Sequence, residues 1–533
     1  MGASNILKGS RIAEIDTRCI SDGVDSRWLM KNAGNSVSRL IIKDFERVSG
    51  GIRGVIVCGS GNNGGDGFVA AADLIDAGFD IDVFHIKPPE KFSADSSFYF
   101  KKLKDLTKSR INLLDFEKQE QVQEFEKILR RSDFVVDAIF GTGLHGSEIH
   151  GQANDIIGSI NNARSRRKKL AVYSVDIPSG IDSDNAAVLG TAIKADRTVT
   201  FGCKKLGLAL YPGKEYAGET TVADIGIDRK YFEDYEKIFE ADLEYVASKI
   251  PEKLPWTYKH AVGKLLVIAG SIGFSGAAAM TCQSALRSGA GIVTLVCPWE
   301  MNSIFETMLT EVMTYPVEQT DNVTIHMDAY SEIAQLSEKF DAIAIGPGLS
   351  QNPSTICLVR EVLKNIKKPT ILDADGLRAL YGPMDVDESK SRLDLSHVVI
   401  TPHSGELASI LGRGSIDLGD RLESNYEVVK KHELVSVLKG ASTIITDTKN
   451  TSFINPTGSW ALATAGTGDI LAGIIGSLLA QGMDLVDAAV CGAFIHGLAS
   501  DIISKETGKT AMIATDLLEG IKEVFKEIEK IKY

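Results

Sequence analysis

Short apolar runs alternate with glycine-rich loops and amphipathic stretches along most of the chain. Gly54–Cys58 leads into the loop Gly59–Gly67 and a predicted helix over Phe68–Ala77. Leu170–Asp176 leads into Ile177–Asp182, Lys264–Ala269 into Gly270–Gly276, and Asp341–Ile345 into Gly346–Leu349. Alternating strands and helices predict an α/β fold with mainly parallel sheets. Ligands in such sheets sit beyond the carboxyl ends of the strands, so the loops there are where chemistry is sought. The most apolar stretch, Ile470–Ala480, is about half a membrane span and is soon followed by Asp484 and Asp487, so it is predicted to be a buried helix.

A segment dense in charged and aromatic residues, Asp228–Lys237, precedes Pro251, Pro255 and a fresh strand–loop–helix unit. At 533 residues the chain is long enough for two or more domains, and a boundary is expected near 230–255. The division adopted is 1–235 and 236–533. The halves share a style but not a motif, which predicts a fusion of two different domains.

Composition narrows the function classes. With 44% hydrophobic and 24% charged residues the chain has ordinary globular character. A net charge of −13 disfavours nonspecific binding to nucleic acid or anionic membrane. Cys19, Cys58, Cys203, Cys282, Cys297, Cys357 and Cys491 form no Cys-x-x-Cys pair and are odd in number. Reduced thiols in a cytoplasmic setting are expected, most of them small core residues. Met1-Gly2-Ala3-Ser4-Asn5-Ile6 has neither the apolar block of a signal peptide nor the Ser or Thr that myristoylation needs at position 6.

In the N-terminal half, Gly59-Ser60-Gly61-Asn62-Asn63-Gly64-Gly65-Asp66-Gly67 matches G-x-G-x-x-G. A dinucleotide-binding Rossmann unit should also end its next strand on an acid, whereas Phe84-His85-Ile86-Lys87 has none. The ordinary dehydrogenase reading therefore loses support. Two further strands end on Asp137 and Asp176, before Gly141-Thr142-Gly143-Leu144-His145-Gly146 and Ile177-Pro178-Ser179-Gly180. Oxygen-rich groups of this kind suit a hard cation, and a remaining carboxylate suits general acid–base work. Any one of these aspartates could simply cap a helix; the combination is what points to a site.

Leu29-Met30-Lys31-Asn32-Ala33-Gly34, Asn62–Gly67, Val136–Gly143 and Asp176–Gly180 resemble the NAD(P)H-hydrate epimerase family over roughly residues 10–227. The resemblance implies a Rossmann-like three-layer αβα domain that interconverts the R and S epimers of nicotinamide-hydrated NADH and NADPH. It further implies that Asn62, Asn63, Gly64, Gly65 and Asp66, with Gly141, Thr142, Gly143, Leu144, His145, Gly146 and Ser147, hold the hydrate. Asn63, Asp137 and Ser179 match potassium-binding positions, and Asp176 matches the acid–base carboxylate. Lys31 departs from the family, which often has Glu there.

In the C-terminal half, Ala463-Thr464-Ala465-Gly466-Thr467-Gly468-Asp469 precedes a predicted apolar helix, Ile470–Gln481. Two glycines free the backbone to wrap an anion, and the helix start supplies N–H donors. Asp469 is placed to take a proton from an attacking hydroxyl, although a Gly-Asp before a helix is more often only a cap. Four other strand-end motifs tilt the balance: Gly270–Ala277, Gly346-Pro347-Gly348-Leu349, Leu372-Asp373-Ala374-Asp375-Gly376 and Thr401-Pro402-His403-Ser404-Gly405-Glu406, with Lys439-Gly440-Ala441 as a fifth. No Walker A sequence occurs, which excludes a P-loop NTPase, and no second His or Cys stands at zinc-ligand spacing from His403.

Together these motifs resemble the ADP- or ATP-dependent NAD(P)H-hydrate dehydratases, a branch of the ribokinase-like kinases, over roughly residues 250–530. The resemblance implies that ADP phosphorylates the S-hydrate and that phosphate leaves to restore NAD(P)H, with Mg2+ bridging the nucleotide phosphates. Asp469 would activate the hydroxyl. Ala277, Gly348 and the run His403, Ser404, Gly405, Glu406, Leu407, Ala408 and Ser409 would bind hydrate. Lys439, Gly440, Ala441, Ser442 and Thr443 would bind nucleotide, as would Ser459, Trp460, Ala461, Leu462, Ala463, Thr464, Ala465, Gly466, Thr467 and Gly468. Ser350 stands where the family often has Gly, and Ser404 where Pro is common. Both families imply homo-oligomers. Two alternatives remain at this point: a small-molecule kinase of ribokinase type, and an N-terminal half that binds ligand without catalysis.

Overall fold

The computed structural model describes residues 4–48, 51–106, 110–144, 146, 148–167, 169–233, 235, 237–256, 258–260, 262–382 and 393–532. It contains two compact units, one from Asn5 to Glu236 and the other from Lys237 onward.

The first unit is built on a seven-stranded sheet in the order Arg110–Leu113, Asp80–His85, Arg53–Cys58, Phe134–Ala138, Ala171–Val175, Arg197–Phe201, Glu219–Ala223. Every pairing is parallel. The central strands read as continuous apolar runs because both faces are covered. On one face, Leu29, Phe68 and Phe100 join the core from the helices Ser26–Phe45, Asn62–Asp76 and Ala94–Lys104. On the other, Phe125 and Ile156 enter from Gln119–Leu129 and Gln152–Arg166. The result is three layers, αβα.

One local expectation is corrected. The glycine-rich segment is not a loop ahead of a helix at Phe68; the helix begins at Asn62. Gly64, Gly65 and Gly67 lie inside it and are small because the helix is pressed onto its neighbours. A Cβ on Gly64 would lie 2.1 Å from the Gly59 carbonyl oxygen. One on Gly65 would lie 2.5 Å from the Met30 sulfur. Sterics at close approach, rather than backbone freedom, explain the composition.

The second unit carries ten strands in the order Met313–Val317, Ile292–Pro298, Lys264–Ile268, Ala342–Ile345, Thr370–Leu372, Val398–Ile400, Val435–Leu438, Ile444–Thr446, Ser452–Ile454, Ile238–Glu240. The first seven run parallel, and Ile444–Thr446 lies antiparallel to both of its neighbours. The apolar stretch forms the helix Thr467–Ala480, in which every residue from Ile470 to Ala480 is buried. Gly473 lets it approach Ser275–Arg287: a Cβ there would sit 2.0 Å from the Ser284 hydroxyl oxygen. Leu485–Thr507 is long and apolar enough to cross a membrane by length and composition, yet about two-thirds of its apolar window is buried in this unit.

All seven cysteines are free, six of them buried and Cys357 exposed. Burial pushes the Cys282 thiol well above its ordinary value, which suits a small core residue better than a nucleophile.

Candidate functional site

In the first unit a cavity of about 850 Å³ opens above the carboxyl ends of the central strands. Its lining includes Asn62, Asn63, Asp66, Gly141, Thr142, Gly143, Leu144 and Asp176. Gly64 and Gly65 are buried inside the helix and carry no side chain into the space. Gly146 donates its N–H to Asp182 at 3.4 Å. His145 and Ser147 lie outside the described residues.

Asp176 follows the strand Ala171–Val175 and holds φ at 66°, in the left-handed region that non-glycine residues seldom adopt. Strain of this kind persists where surrounding contacts over-determine the backbone. Here they do: the Asp176 N–H donates to the Val199 carbonyl at 2.7 Å, and its carboxylate accepts from Thr200 Oγ1 at 3.2 Å and Phe201 N at 3.3 Å. Lys205 Nζ donates to the same carboxylate oxygen at 2.5 Å and to the Phe201 carbonyl at 2.8 Å. Lys205 is 1% exposed, so this is a buried ion pair. Residues 204–205 pair in parallel with Ile6 and Leu7, which draws the lysine inward.

Asp16, Asp66 and Asp95 share the cavity, the last paired with Arg27 at 3.2 Å. Burial raises Asp66 well above the ordinary carboxylate value, with Asp176 and Asp16 adding to the rise. Burial likewise raises Asp16 to about 6, although Lys205 acts to lower it. Asp16 and Lys205 were not among the residues singled out from sequence. Lys204-Lys205 reads as a surface pair, and only the apolar run that follows, Leu206-Gly207-Leu208-Ala209-Leu210, hints at burial.

Beside the cavity lies a cluster of buried oxygen-bearing groups. The Asp137 carboxylate is wholly buried and accepts from Ser179 Oγ (2.5 Å), Ser179 N (2.8 Å), Ser174 Oγ (2.9 Å) and Ile139 N (3.3 Å). The Asn63 amide is also buried, and neither its oxygen nor its nitrogen has a partner. A buried amide oxygen normally finds a donor or an ion, so this orphan marks a place where a cation fits. Among the described residues no group of three His, Cys, Asp or Glu side chains could hold a metal, so a transition-metal centre finds no ligand set there.

In the second unit the motifs converge at the carboxyl ends of the parallel strands. Ser271 Oγ donates to the Gly348 carbonyl at 2.8 Å, and Gly348 sits against Phe274 and Ala277 with no room for a Cβ. His403 is the exposed N-cap of Ser404–Leu411: its Nδ1 accepts from Gly405 N at 3.0 Å, and Glu406 Oε2 accepts from His403 N at 2.8 Å. Leu407 and Ala408 are buried, whereas the Ser409 hydroxyl bonds back to the Gly405 carbonyl.

Asp469 lies in the first turn of Thr467–Ala480, but it does not cap that helix. The N-cap is Gly466, at φ 92°, with no side-chain cap. Burial raises the Asp469 carboxyl to about 7, Asp373 and Asp375 adding to the rise and Lys439 opposing it. Asp373, 1% exposed, accepts from Thr401 Oγ1 and from Lys439 Nζ, each at 2.7 Å. Glu406 reaches Lys439 Nζ at 3.9 Å. Gly468 borders this pair: a Cβ there would stand 3.4 Å from Lys439 Nζ and 3.8 Å from Asp373 Oδ2. An ammonium, a basic carboxylate and a glycine-lined helix start thus meet in one place, a set able to move a proton and stabilise a transferring phosphoryl group.

The segment Lys439–Thr443 is held from behind by Arg421, also not singled out from sequence. Its guanidinium donates to the carbonyls of Leu438 (3.2 Å), Lys439 and Ser442 (both 3.3 Å), and also to that of Ala441. Gly440 leaves space for this, since a Cβ would meet the guanidinium at 2.9 Å. In the other loop, Ser459 precedes the turn Trp460–Leu462, with Trp460 62% exposed and Ala461 buried. Ala463 and Ala465 are exposed, and Thr467 Oγ1 closes the loop on the carbonyls of Leu462 (2.9 Å) and Thr464 (3.1 Å).

Comparison with known proteins covers both units. Residues 265–523 match the family described as NAD(P)H-hydrate dehydratase, and residues 26–207 match the YjeF-related protein N-terminus. A bifunctional NAD(P)H-hydrate repair enzyme of Moorella thermoacetica is 37% identical over 98% of this chain and 97% of its own length. One from Thermofilum pendens is 33% identical over the same shares. Among solved structures, the ADP/ATP-dependent NAD(P)H-hydrate dehydratase from Bacillus subtilis, co-crystallised with ATP/Mg2+, is 29% identical. It covers 54% of this chain and 97% of its own, with a TM-score of 0.46.

Proposed function

This chain belongs to the family of bifunctional NAD(P)H-hydrate repair enzymes, and on that premise we propose that each unit carries one of the two activities with its own residues. Residues 1–235 form the epimerase, which interconverts the R and S hydrates of NADH and NADPH. Residues 236–533 form the dehydratase, which returns the S hydrate to NAD(P)H. The full-length match to repair enzymes does not favour a vitamin or sugar kinase joined to an inert binding module.

In the epimerase unit Asp176 is the acid–base carboxylate. Lys205 holds it in one position, and the segments Asn62–Asp66 and Gly141–Ser147 are proposed to hold the hydrate, a reading supported by Asn62, Asn63, Asp66 and Gly141–Leu144 in the cavity lining. Potassium is the cation proposed for Asn63, Asp137 and Ser179. The orphaned Asn63 amide oxygen and the buried Asp137 carboxylate fit it, and it would supply a fixed positive charge beside the substrate.

In the dehydratase unit Asp469 takes the proton of the hydrate hydroxyl, whose oxygen attacks the terminal phosphorus of ADP. AMP leaves, and the resulting phosphate ester eliminates: the C–O bond to phosphate breaks, the neighbouring ring carbon gives up a proton to solvent, and the ring double bond reforms. Ala277, Gly348 and His403–Ser409 flank the hydrate; Lys439–Thr443 and Ser459–Gly468 hold the nucleotide. Lys439 offers its ammonium to the phosphates. Mg2+ would neutralise phosphate charge when bound with the nucleotide. ADP is preferred to ATP because both units are fused in one chain, as in the bacterial and archaeal relatives. A cytoplasmic homo-oligomer acting on small molecules completes the proposal.

The single observation that carries this reading is Asp469: an uncapping carboxylate of raised pKa at a glycine-lined helix start, beside the Lys439–Asp373 pair. The test is purified protein with mixed R and S hydrate and either ADP or ATP, followed by NADH absorbance. Full conversion, faster with ADP, is expected. Consumption of the S portion alone would remove the epimerase assignment.

A further inference from the structure

We propose that Asp16 is a second proton-transfer residue of the epimerase cavity, serving the face of the hydrated ring that Asp176 does not serve. The proposal rests on the epimerase reading above.

Water adds to an enamine at the carbon next to nitrogen, so the hydrate is a hemiaminal. To invert that carbon, its C–O bond breaks on one face. The nitrogen lone pair moves into a C=N bond, and the hydroxyl leaves as water with a proton from an acid on that face. Water then adds to the other face, the C=N pair returns to nitrogen, and a base there takes the released proton. One carboxyl has lost a proton and the other has gained one. Atoms and charge balance, and the enzyme is left in the form that runs the reverse step. Two acid–base groups on separate walls are needed.

The cavity is lined by four carboxyls, Asp16, Asp66, Asp95 and Asp176, and by the ammonium groups of Lys87 and Lys205. Asp95 accepts from Arg27 Nε at 3.2 Å. Lys205 is committed to Asp176 and to the Phe201 carbonyl. Asp66 lies inside the helix Asn62–Asp76, and burial holds its carboxyl well above the ordinary carboxylate value, which disfavours the charged form a base needs. Asp16 differs from these. It sits on the helix Gly9–Ser21, whose residues Ile12, Ala13, Asp16, Thr17 and Ile20 form one stripe along the cavity wall. The spacing i, i+4, i+8 is that of one helix face, and it is otherwise a face of apolar and small residues. Among the described residues the Asp16 carboxyl has no hydrogen-bond or ion-pair partner, so it is not there to brace the fold. Its charged neighbours are Lys205, which lowers its proton affinity, and Asp176, which raises it. The net effect of burial leaves it at about 6, where it can both give and accept a proton near neutrality. Asp16 enters from a helix and Asp176 from a strand end, so the two reach the substrate from different elements.

The test is exchange of the hydrate oxygen with 18O-labelled water, using the full-length chain without nucleotide and following each epimer separately by chromatography and mass spectrometry. Wild type is expected to label both epimers. Asp16→Asn should label one epimer at close to the wild-type rate and lose the other by at least ~100-fold, with epimerisation lost in parallel. Asp176→Asn should show the opposite selectivity. Equal labelling of both epimers, or equal loss of both, by a folded Asp16→Asn protein overturns the assignment of Asp16. Asp16→Glu keeps the acid and serves if the first variant does not fold. Slowing confined to the same epimer supports the proposal, and equal slowing of both overturns it. If wild type does not interconvert the epimers at all, the epimerase reading itself fails; interconversion without label, as ring opening at the C–N bond would give, overturns the proposal alone.

Discussion

Replacing Asp373 by Asn tests whether the Asp469 proton affinity is set by its neighbours. In the wild type, Asp469 titrates at about 7 because burial, Asp373 and Asp375 favour its neutral form more than Lys439 favours its charged form. Only the ionised carboxylate can act as base. The ionised fraction is then about one-tenth at pH 6 and about nine-tenths at pH 8, so the rate should rise roughly ten-fold over that span. Asp373→Asn removes the largest charge contribution to the rise, so the acid limb must move to lower pH. Lys439 also loses the negative charge of its 2.7 Å partner, so the plateau should fall while the limb shifts. The assay is kcat/KM for pure S hydrate at low ADP from pH 5.5 to 8.5, each profile normalised to its own plateau. Titration of the nucleotide itself is common to both proteins and cancels. An Asp373→Asn limb that coincides with that of the wild type, or lies above it, would refute the reasoning.

Three further outcomes follow from packing and backbone geometry. Gly64→Ala places a Cβ 2.1 Å from the Gly59 carbonyl oxygen, a backbone atom with nowhere to go. It should cost about 3 kcal/mol in urea unfolding of the first unit, and a loss below about 0.5 would show the helix able to shift. Arg421→Met removes the donors that hold the Lys439–Ser442 carbonyls and should cost about 3 kcal/mol while raising KM for ADP more than KM for hydrate; an unchanged KM for ADP would separate Arg421 from nucleotide binding. Ser350→Gly relieves a φ of 74°. Relief of roughly 1–2 kcal/mol set against roughly 0.5–1 kcal/mol of added unfolded-state freedom leaves about 0.5 kcal/mol of stabilisation, read as a small rise in Tm.

Particular residues show how far the sequence could be read. The strand-end motifs were legible because chain order dictates where a parallel strand delivers its next residues: Asp137, Asp176, Asp373 and Lys439 all follow apolar runs. The family resemblance added roles to those positions. Asp16 and Lys205 were not legible by pattern. Glu14-Ile15-Asp16-Thr17-Arg18 has the look of a solvated helix face, and Lys204-Lys205 that of a surface pair. Only folding reveals that Asp16 joins the cavity stripe and that Lys205 is enclosed. Arg421 opens a helix full of charges and is buried by a loop 20 residues away. The Asn62–Gly67 segment misled for another reason. Glycines mark freedom of φ and closeness of approach alike, and here they mark the second.

The cavity lining comes entirely from residues 12–227, and the Asp469 set from residues 270–469. Among the described residues each set is drawn from the sequence of a single unit. In genetic terms the two activities form separate complementation groups. A chain lacking Asp176 and a chain lacking Asp469 should each fail on mixed hydrate, one stalling on the R epimer and the other on every molecule. Mixed in one tube, they should restore complete repair, because the S hydrate released by one can be consumed by the other.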